Sequence, residues 1–223
     1  MKRKLLLLNG LLLVGGAAQA QLIVRAGINS AFMSTIGGGR YFYATAQTRP
    51  GYQLGVAYEK AFSPRWSVLP EVQLLHQNTK LHVEDRGYVA DGGYRSDTRQ
   101  RLSFVSVPVL LRATFGKLYV EAGPQANFLL RAHEKGTEAV GSIAGESRRD
   151  IDQTVTGQYR RFDAGLCVGI GAKLPTGLGL GVRISQGLLP LTDDQQTRYG
   201  AASTVGNKLL LQGSVSYQLK PRS

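Results

Sequence analysis

From Leu178 to Ser185 the chain reads Leu-Gly-Leu-Gly-Val-Arg-Ile-Ser, apolar at every second position. A helix would scatter Leu178, Leu180, Val182 and Ile184 around its circumference. A strand places all four on one face and Gly179, Gly181, Arg183 and Ser185 on the other. The pattern recurs. Tyr52, Leu54, Val56 and Tyr58 alternate with Gln53, Gly55, Ala57 and Glu59. Leu118, Val120, Ala122 and Phe128 oppose Tyr119, Glu121, Gly123, Gln125 and Asn127. Phe162, Ala164, Leu166, Val168 and Ile170 oppose Asp163, Gly165, Cys167, Gly169 and Gly171. Val105, Val107, Val109 and Leu111 oppose Ser106, Pro108 and Arg112, less cleanly, because Phe104 and Leu110 fall on the polar side. Such a chain folds into strands whose two faces meet different surroundings.

Eight segments of this kind are predicted, over 22–33, 51–61, 65–76, 102–115, 117–130, 161–173, 177–187 and 207–219. Their connections alternate in length. Ser63-Pro64, Gly116-Lys117 and Pro175-Thr176-Gly177 make tight turns from turn-forming residues. The other four, 34–50, 77–101, 131–160 and 188–206, read as long polar loops. Short turns at one end and long loops at the other are the layout of an outer-membrane barrel, with the short turns periplasmic. The fold class expected is all-β: an eight-stranded antiparallel up-and-down transmembrane β-barrel, with both termini on the periplasmic side.

The amino terminus agrees with export. Lys2, Arg3 and Lys4 precede an apolar run from Leu5 to Gly16, and Ala18-Gln19-Ala20 offers a small-residue cleavage site. The run is shorter than the roughly 20 apolar residues a spanning helix needs. Residues 1–20 are therefore expected to be a signal peptide and 21–223 the barrel domain. Gln21 follows the cut, so no lipid-bearing cysteine is expected there. Removing 1–20 lowers the formal net charge from +12 to +9. The basic residues are interspersed with acids between Lys80 and Arg101 and between Arg131 and Arg161. Mixed signs of this kind point to solvated loops and away from nucleic acid. With Cys167 as the single cysteine, an intrachain disulfide is impossible.

Alternation alone leaves open which face looks inward. A soluble lipocalin-like barrel hides its apolar set, whereas a membrane barrel turns it to lipid. The polar faces here hold glycine, serine, glutamine, asparagine and isolated charges, with little of the lysine and glutamate that coat a solvated sheet. Small residues suit a narrow interior. The charges on those faces balance: Arg25, Arg112, Lys173 and Arg183 against Glu59, Glu71, Glu121 and Asp163. Buried charge is costly unless paired, so these eight are expected to form an internal ion-pair network. The alternative for each is a rim position in water. Aromatic residues fall at both strand ends: Tyr58, Phe62, Trp66, Phe115 and Tyr217 at one, Phe32, Tyr52, Phe128 and Phe162 at the other. Two belts suit the two interfaces of a bilayer.

The segments GINSAFMS, GYQLGVAYEKAFSPRWSVLPEVQLLHQ, LSFVSVPVLLRATFGKLYVEAGPQANFLL, FDAGLCVGIGAKLPTGLGLGVRISQGLLPL and LLLQGSVSYQLK resemble the outer-membrane β-barrel family typified by PorT, common in Bacteroidetes. The resemblance covers residues 22–219 and is carried by the order and spacing of VPVLLR, YVEAGPQANFLL and GLGLGVRISQGL. It implies an eight-stranded outer-membrane barrel, and for one member a part in type IX protein secretion. The chain departs from the common barrel-assembly signal by ending Lys220-Pro221-Arg222-Ser223 rather than on an aromatic; Tyr217 stands nearest to that role.

Catalysis is not expected. Rim enzymes of small barrels set histidine with serine or aspartate near the external edge. His76 and His133 would lie near external strand ends and His82 in a loop, with Ser96, Asp97, Ser142 and Asp152 in the loops, but no spacing selects a triad. No HExxH, CxxC or EF-hand pattern occurs, so no metal is expected; Glu84, Asp85, Asp193 and Asp194 read as solvated loop acids. Gly37-Gly38-Gly39 lacks the GK[ST] of a phosphate loop, and Gly169 and Gly171 sit inside a strand, so no cofactor is expected. Cys167 reads as a small lumenal filler. The expected protein is a monomer with a structural or partner-presenting role. Its expected partners are outer-membrane lipid and lipopolysaccharide, with secretion-system or other envelope proteins as further partners. A part in a secretion machine, a lipid A-modifying or proteolytic rim enzyme, and a narrow channel are the rival readings.

Overall fold

The computed structural model describes residues 20–35, 42–85, 93–142, 145–189 and 205–219. The expected signal peptide (except Ala20), Gly37–Gly39, Asp193, Asp194 and the last four residues lie outside them. Among the described residues nine strands run in chain order: β1 (Ala20–Thr35), β2 (Phe42–Ala61), β3 (Trp66–Asp85), β4 (Tyr94–Phe115), β5 (Leu118–Ser142), β6 (Gly145–Thr154), β7 (Phe162–Lys173), β8 (Leu178–Gly187) and β9 (Val205–Leu219). A single 3-10 turn, Thr156–Gln158, separates β6 from β7.

Eight of the strands close a ring, each antiparallel to its neighbours in the order β1-β2-β3-β4-β5-β7-β8-β9 and back to β1. Closure leaves no barrel edge unpaired, which a sheet in hydrocarbon requires, because lipid offers no partners to backbone N–H and C=O groups. The turns at one end are short for local reasons. Gly116 takes φ +63° in the two-residue link between the paired Phe115 and Leu118, a conformation glycine adopts without strain. Between β2 and β3, the Ser63 hydroxyl accepts from the backbone N–H of Arg65 and Trp66 at 3.3 and 3.2 Å.

The opposite end differs from expectation. Much of what reads as long polar loop is strand. β2 begins at Phe42, β3 continues to Asp85, β4 starts at Tyr94 and β5 reaches Ser142. β6, which the alternation does not reveal, pairs with the outer half of β5 from His133↔Thr154 to Ser142↔Gly145. The outer halves of β2 to β5 and β6 thus form a five-stranded sheet standing beyond the barrel. Past the bilayer both faces of a strand are wet, so the apolar–polar signal disappears while backbone pairing continues. On the opposite side the described strands are shorter: β8 stops at Gly187 and β7 starts at Phe162.

The barrel core is on its inside, but it is not uniformly polar. Ile23, Ala57, Leu69, Leu110 and Cys167 pack together within it. Nearer the tall rim, Ala31, Leu75, Leu102, Phe104, Leu129, Ala132 and Leu210 form a second cluster. Val155 and Tyr159, flanking the 3-10 turn, close onto it. That segment is held by the Val155 N–H donating to the Ala132 carbonyl at 3.0 Å and by the Ala132 N–H donating to the Thr156 hydroxyl at 3.0 Å. Phe104 and Leu110, the two residues that break the polar face of β4, are therefore lumenal fillers.

Candidate functional site: a lumenal ion-pair chain

β8 settles which way the faces point. Leu178, Leu180, Val182 and Ile184 lie on the outside, 40–51 % exposed, while Arg183 is 2 % exposed. The same holds around the ring: Leu54, Val72, Leu74, Val120, Leu166, Val168 and Ile170 face out, and Gln53, Gln73, Glu121 and Cys167 face in. Every aromatic assigned to the two belts is exposed on this outer surface. At the tall end Phe128 and Phe162 pack with ring centroids 5.2 Å apart, and Tyr52 stacks on His76 at 4.9 Å. An outer surface so apolar, ringed by aromatics at both ends, suits hydrocarbon and not water.

Seven of the eight predicted lumenal charges meet in one chain. Arg25 on β1 lies 3.3 Å from Glu71 on β3. Glu71 also accepts from Arg183 on β8 at 2.8 Å, and Arg183 donates to Glu121 on β5 at 2.6 Å. Arg112 on β4 donates twice to Glu121, at 2.7 and 3.0 Å, and once to Glu59 on β2 at 3.1 Å. Lys173 on β7 completes the chain with bonds of 3.0 and 3.2 Å to Glu59. These residues come from seven of the eight barrel strands. The eighth, β9, contributes Ser214, whose hydroxyl accepts from Arg25 at 3.1 Å.

Two of the links cross the whole width of the lumen. β3 and β8 stand opposite each other in the ring, as do β2 and β7, and they carry Glu71–Arg183 and Glu59–Lys173. A further polar layer adjoins the chain. Gln73 donates to Glu71 at 2.6 Å, and Gln212 donates to Gln53 and Gln73 at 2.6 and 3.3 Å. Arg112 additionally lies over the Tyr119 ring, 4.1 Å from its centroid, a favourable cation–π placement.

Glycines make the room. A Cβ on Gly171 would overlap the Tyr119 ring, and one on Gly169 would sit 2.8 Å from Arg183 Cγ and 3.2 Å from Glu121 Oε1. Bulk on these two inward positions of β7 would displace the chain they face.

Asp163 stands apart. It is buried, but it accepts from the Asn127 amide and the Leu189 backbone N–H, each at 3.3 Å, and no cation pairs with it among the described residues. With Gln125, Asn127 and Ser185 it lines a small cavity nearer the tall rim. Four charges of each sign therefore do not pair off as a single set; one carboxylate is held by amides instead.

The three histidines lie on the outward face of the tall wall, each with one polar partner. His76 Nδ1 is 3.1 Å from the Ser103 hydroxyl, His82 Nδ1 2.9 Å from Asp97, and His133 Nε2 3.0 Å from Asp152. No carboxylate pairs with His76 among the described residues. Ser103 as the neighbour of His76 is invisible in sequence, since it depends on the β3–β4 register. His82 lies in a strand, not a loop. Among the described residues no three metal-ligating side chains gather.

The family comparison agrees with the architecture. The family model described as outer membrane protein beta-barrel domain matches residues 17–193 of 223. A sequence search of curated proteins finds no match. Among solved structures, the outer membrane protein AlkL in lipid bilayers is 13 % identical, with 94 % of each chain covered and a TM-score of 0.48. Ail, the attachment invasion locus protein of Yersinia pestis, is 10 % identical, covering 91 % of this chain and all of its own, with a TM-score of 0.47. OprG from Pseudomonas aeruginosa is 13 % identical over 92 % of this chain and 98 % of its own, with a TM-score of 0.42. Matched over well more than half its length, and folded as the match requires, the chain belongs to the outer membrane protein β-barrel domain family and resides in the outer membrane.

Proposed function

We propose that this protein is a closed, non-catalytic barrel that anchors a tall extramembrane β-sheet for contact with envelope partners. The observation that carries this reading is the pair of diametric ion pairs, Glu71–Arg183 and Glu59–Lys173, lying across the lumen within one hydrogen-bonded chain. A barrel of about eight strands has an interior that side chains can fill; here the ion-pair chain and the two inward apolar clusters fill it. In this reading the seven linked charges are structural, and the sheet formed by β6 and the outer halves of β2 to β5 is the presenting surface.

Conductance in a planar bilayer tests the closed state. The wild-type barrel is expected to show no stable channel steps, and a Glu71→Ala/Arg183→Ala double variant to show small ones. Open-channel steps from the wild type would overturn the reading.

The resemblance of VPVLLR, YVEAGPQANFLL and GLGLGVRISQGL to PorT-typified barrels supports a second reading, in which the presented sheet serves protein secretion. β6 lies at the end of the strand order, next to β5, a position that suits strand addition by a partner. Deleting the gene and following secreted proteins tests it; unchanged secretion would contradict it.

A further inference from the structure

The outward face of the tall wall gathers cations in its lowest rows. Positions directly opposite in an antiparallel sheet share a face, so the register gives the rows. The stacked Tyr52 and His76 share their row with Ser103 and Arg131; above it comes Arg49↔Asn78↔Arg101↔His133, then Gln47↔Lys80↔Arg99↔Lys135↔Asp152. Acids dominate only in the next row out, His82↔Asp97↔Thr137↔Asp150. Six cations against one acid therefore occupy the row of Tyr52 and the two rows above it. At strand spacing they span a patch about 15 Å across.

This arrangement does not serve the fold. Lys80, Arg99 and Lys135 stand directly opposite one another on three adjacent strands, where like charges are destabilising. Asp97 lies 3.8 Å from Lys80 and Asp152 3.1 Å from Lys135. Arg49, Arg99, Arg101 and Arg131 are exposed and have no anionic partner among the described residues. At the matching ends of β1, β8 and β9 the outward residues are Phe32, Gln186 and Leu209.

We infer that this face is a binding site for a phosphate-bearing glycolipid headgroup of the outer leaflet. The belt aromatics hold the height of the bilayer surface. The acyl chains would lie against the apolar wall below, and the arginines stand where the phosphates of such a lipid lie. Guanidinium forks match phosphate oxygens two at a time, and uncompensated arginines are free to do so.

The test uses the full chain folded in phosphatidylcholine nanodiscs, with lipid A as the probe and native mass spectrometry reading the lipid retained. Wild-type protein is expected to retain lipid A, and an Arg49→Gln/Arg101→Gln/Arg131→Gln variant to lose affinity on the order of a hundredfold, about fivefold per cation near a charged surface. The corresponding triple Lys variant should keep most of it, and an Arg65→Gln/Lys117→Gln control at the opposite rim should keep all. Equal retention by the Gln variant would overturn the inference. So would equal retention by the wild type of dephosphorylated lipid A or of phosphatidylglycerol, and these two comparisons need no variant to fold. Any of these results would leave the closed-barrel reading untouched, because that reading is tested by conductance.

Discussion

Glu121 sits at the centre of the lumenal chain, accepting from Arg112 and Arg183 at once. Glu121→Gln keeps the shape and removes the charge, leaving two buried guanidinium groups short of an anion. Loss of one member of a buried pair costs about 3–5 kcal/mol, and urea unfolding in lipid or detergent should show a loss of that size. Asp163→Asn offers the contrast: Asp163 only accepts from amide groups, so its replacement should cost about 1 kcal/mol. Gly171 supplies a steric version of the same test. Gly171→Val would collide with the Tyr119 ring, and Tyr119→Ala in the same chain should recover part of the lost stability. Which residues carry the network was readable from the period-two pattern, because Arg25, Glu59, Glu71, Arg112, Glu121, Lys173 and Arg183 all occupy polar-face positions. Who pairs with whom was not. Glu59–Lys173 joins strands 114 residues apart in sequence, a contact fixed by ring closure and shear, which leave no local trace. The isolation of Asp163 was hidden for the same reason.

Strand faces make separate predictions. Val168→Arg on the outer surface of β7 would place a cation against the acyl chains, at about 2–4 kcal/mol near the midplane. Outside the bilayer, the tall hairpin has a pH signature. Burial holds the Tyr94 hydroxyl at a pKa of about 12, above its usual 10, and the hydroxyl donates to Glu138 at 2.9 Å. A raised folded pKa means this contribution is intact below about 10 and lost as pH rises through about 12. Tyrosinate absorbance should therefore lose one late-titrating group in Tyr94→Phe, leaving Tyr159, which burial shifts up further, to titrate later still, and hydrogen exchange in β4 and β5 should accelerate over that range. The strands within the bilayer were legible because lipid on one side and lumen on the other impose alternation. β6 and the outer halves of β2 to β5 were not, because water on both sides imposes none; Gly145–Thr154 reads as a charged loop and pairs as a strand. The mixed signs between Lys80 and Arg101 looked unclustered in sequence for a related reason. Pairing with β5 and β6 brings the cations into common rows.

At the scale of the whole molecule, a ring of eight strands turns apolar side chains outward over its full circumference and encloses ionic groups that would be unstable in hydrocarbon. Membership of the outer membrane β-barrel domain family follows from the sequence match and fits this inversion of the soluble pattern. The most direct test is collisional accessibility of spin labels along β8. In a Cys167→Ala background, single cysteines at Leu178, Leu180, Val182 and Ile184 would carry a nitroxide, with the protein folded in lipid bilayers. All four should relax strongly with oxygen, which partitions into hydrocarbon, and weakly with a water-soluble nickel complex. The oxygen effect should be greatest at Leu180 and Val182. Nickel accessibility at these positions, or labels immobilised and shielded from both reagents, would place this face in water or in a dry core and contradict the membrane barrel.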